Sequence, residues 1–253
     1  MKLPFRPQGW RARERGFTMV EIALSIAVVA FAMVAILGVL PTGLQVQKDN
    51  REETIVNADG AYLLEALRTG NDHLGLLSNL VYLVSVNFKN GNRDVVVNDY
   101  PPGDPRLMTG QQLVGLLGTP RSTTDAGVSN VVAWMRALNG SAIEKDPDAR
   151  DVAFRYQVVI ETQPYLGYPP DLTNVLATNE LARLSRLQSR LHEVRLTMQW
   201  PLIRDNTASP QNARVGTRRR TFRALVGGIR VTNEADMPDG DKKPVFYLRP
   251  SVF

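Results

Sequence analysis

Residues 17–40 read FTMVEIALSIAVVAFAMVAILGVL, and the rest of the chain can be interpreted only once this run is placed. Its only polar side chains are Thr18, Glu21 and Ser25, and from Ile22 to Leu40 only Ser25 interrupts it. As a helix it spans about 36 Å, enough to cross a bilayer. Lys2, Arg6, Arg11, Arg13 and Arg15 precede it against a single acid, Glu14. The flank after it, with Lys48, Asp49, Arg51, Glu52 and Glu53, nearly cancels. The positive-inside rule puts the leader in the cytoplasm and the body across the membrane.

That placement also explains the net charge of +5. Most of it belongs to the leader, so the nearly neutral body gives no reason to expect a nucleic-acid partner. A secretory signal peptide is the competing interpretation. Its small-residue cleavage site would be Ala30-Phe31-Ala32, inside the apolar run, and cutting there would leave an apolar N-terminus. A plain anchor leaves Glu21 unexplained, because a carboxylate in hydrocarbon costs about 2.5–3.5 kcal/mol and is functional by default.

Arg15-Gly16-Phe17-Thr18-Met19-Val20-Glu21 resembles the class III signal of type IV pilins and type II secretion pseudopilins. The resemblance covers residues 11–45. It implies cleavage between Gly16 and Phe17 by a prepilin peptidase, N-methylation of Phe17, and a role for Glu21 as the assembly carboxylate. It also implies other pilins or pseudopilins and the inner membrane as partners. The stretch Ile36–Leu44 resembles a group of pilin-like proteins encoded in multi-gene cassettes of planctomycete and verrucomicrobial bacteria. Physically, a buried amine and a buried carboxylate are each costly alone and tolerable as a pair, so Glu21 of one subunit would meet the Phe17 amine of its neighbour.

Beyond the apolar run, Pro41 removes one helical hydrogen bond and favours a kink or an end to the helix. Val46, Ile55, Ala58, Ala61, Leu64 and Leu67 then recur at helical spacing, with Glu52, Glu53 and Asp59 assigned to the polar face. Gly70 closes this amphipathic half, residues 41–69.

Residues 70–253 form a periplasmic head. Tyr82, Val84, Val86 and Phe88 alternate, Asn90-Gly91 signals a tight turn, and Val95–Val97 follow, which predicts a hairpin. Gln111–Leu117 and Val128–Leu138 read as helices, and residues 98–150 as an insertion. Strands are predicted over 154–160, 194–200 and 221–226, with Pro201 ending the middle one. Leu181, Leu184, Leu187 and Leu191 share a helical face before it. The expected architecture is α+β: leader 1–16, transmembrane helix 17–40 and its amphipathic continuation 41–69, packed on an antiparallel sheet of about four to five strands.

No nucleophile-elbow serine, phosphate loop or zinc-protease motif is present, so no catalytic residue is assigned and no enzyme is expected. With no cysteine and only His73 and His192, thiol chemistry is excluded and a histidine-rich metal centre is disfavoured. His192 reads as structural and His73 as solvated. No cofactor is expected, apart from calcium at Asp236, Asp239 and Asp241 with Glu234, although the spacing is not that of an EF-hand. Arg218-Arg219-Arg220 reads as solvated protection of a strand edge. Tyr165–Pro170 is either a contact surface or a cover for the sheet. A structural, fibre-forming subunit is the expected function. The alternatives are a minor or tip subunit that initiates the fibre or contacts cargo, and a membrane-anchored periplasmic binding or enzymatic domain.

Overall fold

The computed structural model describes residues 16–73, 75–122, 124–138, 154–165, 178–203 and 213–249. The leader 1–15 and most of Tyr165–Pro170 lie outside them. The chain divides into two compact units, Met1–Arg51 and Glu52–Phe253.

Helix α1 runs from Met19 to Thr69 and continues through Pro41. Its apolar stretch reaches a mean hydropathy of 2.8, and none of that stretch is buried. From Glu52 onward the helix belongs to the second unit. There Glu52, Ile55, Val56, Asp59, Gly60, Leu63, Ala66 and Leu67 are buried at spacings of three and four. The inward face is therefore rotated from the expected one. Ala58 and Ala61 are exposed, while Asp59 is 0 % exposed. Asp59 is tolerated inside because Oδ2 accepts from the Tyr156 hydroxyl at 2.8 Å and from the Leu138 amide at 2.9 Å. Gly60 is required by close approach, since a Cβ there would lie 2.5 Å from Cε2 of Phe222.

After a single turn, α2 (Leu77–Leu80), come β1 (Val81–Phe88), β2 (Arg93–Val97), α3 (Gly110–Leu117), β3 (Val128–Arg136), β4 (Arg155–Pro164), α4 (Thr178–Arg190), β5 (Leu191–Ile203), β6 (Arg214–Gly227), β7 (Ile229–Asp236) and β8 (Lys242–Arg249). Six strands form one antiparallel sheet in the order β2-β1-β3-β4-β5-β6, and β7 pairs with β8 alone. The strand count exceeds the expected four to five because β3 joins the sheet and β7 and β8 form a pair of their own.

Val128–Leu138 is a strand rather than the expected helix. Val131, Val132, Ala133, Trp134 and Met135 are all buried, so both faces are covered and the period-two signal is erased. β3 pairs with β1 on one side and β4 on the other, so this part of the 98–150 stretch sits inside the sheet. Nor does Pro201 end β5. The strand continues to Ile203 across a register shift between Trp200 and Leu202, which absorbs the missing donor.

The predicted hairpin forms at Asn90-Gly91, where Gly91 adopts a φ of +88°. α3 begins with a capping box in which the Thr109 and Gln112 side chains bond each other's backbone amides. One core lies between the sheet and α1, α3 and β8. A smaller cluster of Tyr82, Leu83, Val132, Trp134 and Leu202 lies apart from it.

Candidate functional site at the start of the long helix

Thr18 is the residue at which α1 begins. Its carbonyl accepts the first helical bond, from the Ile22 amide at 3.2 Å. The Thr18 amide and hydroxyl both donate to Oε2 of Glu21, at 2.9 and 3.0 Å, and the Glu21 amide donates back to the Thr18 hydroxyl at 3.3 Å. This is a reciprocal capping box, with Thr18 at N-cap and Glu21 three residues on. Its Thr-x-x-Glu spacing is legible in the sequence.

Two consequences follow for the neighbouring residues. Gly16 and Phe17 stay outside the helix, so the bond between them lies in non-helical backbone, and Phe17 is 82 % exposed. The carboxylate of Glu21 is held at the first turn, where a negative charge also suits the helix dipole. Its other oxygen, Oε1, has no hydrogen-bond partner among the described residues. Ser25 turns its hydroxyl back to the Glu21 carbonyl at 2.8 Å, so no polar side chain of the segment is left without a local bond. At Gly16, Gly38 and Gly43 an added Cβ would meet nothing within 4 Å.

The second unit anchors the other half of α1 by charge. Arg218 reaches Glu52 at 3.2 Å and Arg220 reaches Glu53 at 2.7 Å. Two of the three consecutive arginines thus hold the helix instead of guarding an open edge, and Arg219 is exposed.

The calcium candidates are not gathered into a cage. Asp236 ends β7, while Asp239 and Asp241 lie in the turn before β8 that Gly240 makes at a φ of +86°. Asp239 is 3.5 Å from the Lys243 ammonium, which also pairs with Asp94. Among the described residues no group of three or more histidines and carboxylates is placed to hold a metal ion.

His73 is exposed beyond the end of α1. His192 is buried in β5, and neither ring nitrogen makes a hydrogen bond of normal geometry. Burial, with Arg230 nearby, holds it below the usual imidazole range. Compared with known proteins, the chain matches no family model, no curated protein and no solved structure.

Proposed function

We propose that this chain is a structural, pilin-like subunit. A prepilin peptidase cuts it between Gly16 and Phe17, Phe17 is N-methylated, and the mature chain assembles through α1 into a type IV pilus or a type II secretion pseudopilus. The observation that carries this reading is the pairing of a wholly exposed apolar helix start with a carboxylate inside it. Helices side by side would bury the exposed row from Ile22 to Leu40. Glu21 would gain the Phe17 amine of a neighbouring copy as a charged partner, which it lacks among the described residues of its own chain. The leader lies in the cytoplasm and the head in the periplasm.

Intact-mass and N-terminal peptide mass spectrometry on protein from native membranes tests the reading. A chain starting at Phe17 with one added methyl group is the expected result. A chain starting at Met1 would sink it and leave an uncut anchor carrying a head with its own binding or catalytic role.

A further inference from the structure

The β7–β8 hairpin is chemically polarised. At its root, Ile229 pairs with Arg249, and Arg230 follows. α4 packs against β7 at the same end of the sheet, where the Gly228 amide donates to the Arg190 carbonyl at 2.7 Å. α4 adds Arg183, Arg186 and Arg190, all exposed. None of these five arginines makes an ion pair among the described residues. Two large apolar side chains stand exposed among them, Leu187 at 45 % and Ile229 at 50 %.

The tip lies seven residue steps along β7, about 23 Å away. Glu234, Asp236 and Asp241 are exposed there and likewise make no ion pair among the described residues, with Lys242 exposed beside them and Arg106 close by, paired to Asp104 at 2.9 Å. The tip borders a groove of about 360 Å³ floored by Leu107, Met108, Met237 and Pro238, with Asp236 and the Asp104-paired Arg106 on its wall.

Residues 52–253 hold 23 lysines and arginines and 22 aspartates and glutamates. Apart from the five root arginines, the remainder therefore carries a net charge of −4. A surface of this kind fits the opposite end of its own kind: apolar knobs ringed by arginine at one end, and at the other a part-apolar groove with Asp236 on its wall and Glu234 and Asp241 nearby on the same tip.

We infer that the root of one copy docks on the tip groove of a second copy, with Leu187 and Ile229 entering the groove and Arg230 and Arg249 facing Glu234, Asp236 and Asp241. The contact joins two different patches, so it is heterologous and propagates as an open series rather than closing as a dimer. It rests on the fibre reading and supplies the head-to-head contact that the helices alone do not.

The absence of cysteine allows a direct test in the full-length chain in native membranes. Ile229→Cys and Pro238→Cys are made singly and together and treated with a short bis-maleimide, which is too short to join the two positions within one copy. Sedimentation of sheared polymer is followed in parallel. The expected result is a ladder of linked multimers from the double variant, none from either single variant, and dimers when the two single variants share a cell. Arg230→Glu with Arg249→Glu lowers the linked fraction about tenfold, and adding Glu234→Arg with Asp236→Arg restores it. Polymer that sediments without a ladder overturns the head contact and leaves the fibre reading standing. Dimers from Ile229→Cys alone overturn it in favour of a symmetric contact. Neither polymer nor ladder overturns both.

Discussion

Asp59 shows how much one side chain can organise. It sits on α1 with no exposed surface, and it accepts bonds from residues 79 and 97 positions away. Replacing Tyr156 with Phe leaves that carboxylate short of a donor and lowers stability by about 1.5–3 kcal/mol, read as a shift in the denaturant midpoint. The same pair sets an alkaline limit. Burial and the Asp59 charge push the Tyr156 hydroxyl well above its ordinary 10.0. The unfolded chain ionises at that ordinary value while the folded chain does not. The stability is therefore fully present below pH 10 and is lost as pH rises through the folded value, and Tyr156→Phe flattens the fall. His192 has the opposite sign: its imidazole is held low, so stability is present above the ordinary 6.5 and is lost as pH falls. His192→Leu removes that acid-side slope. His192 reads as structural from the sequence, whereas the role of Asp59 is not legible there. Asp59 follows Glu52 and Glu53 in a row of charges that reads as a solvated face, and its donors have no sequence proximity to announce them. Glu21 was legible, because a carboxylate in an apolar run conflicts with its surroundings without any knowledge of the fold. Glu21→Ala is expected to leave membrane insertion intact and abolish sedimentable polymer; polymer at the parental level would remove Glu21 from assembly.

Among the elements, legibility followed exposure. β4, β5 and the end of β6 alternate because one face is buried and the other is wet, and all were predicted. The β1–β2 hairpin was announced by Asn90-Gly91. α4 was visible through its leucine spacing, even though it passes into β5 with no intervening loop. β3 reads as a helix in the sequence because it is covered on both faces, and no strand was predicted over β7 or β8, through which charge runs. The loop between β2 and α3 is pinned chiefly by one buried amide. Asn98 donates to the Ser78 and Val81 carbonyls at 2.9 and 2.8 Å and accepts from the Met108 amide at 2.7 Å. Asn98→Ala is expected to cost about 1–3 kcal/mol and to raise proteolysis between Asp99 and Thr109. Thr109→Ala removes only the cap of α3 and should cost about 1 kcal/mol.

For the whole molecule, the sequence foretold one exposed apolar helix start followed by an α+β head, and the structure has both. What it concealed is the surface chemistry of the head, because charges scattered over sixty positions converge only after β7 folds back on β8. The anchoring of α1 carries a mechanical consequence. From Glu52 to Gly70 the helix is held at successive points along its length: by Arg218 and Arg220, by Phe222 against Gly60, by Tyr156 and Leu138 at Asp59, and by Leu248 beside Gly70. A pull transmitted along the helix axis is therefore shared among these contacts at once, as shear. A load borne in parallel must break many weak attachments together, so tension on the helix would be borne by the head as a whole before any single strand is peeled away.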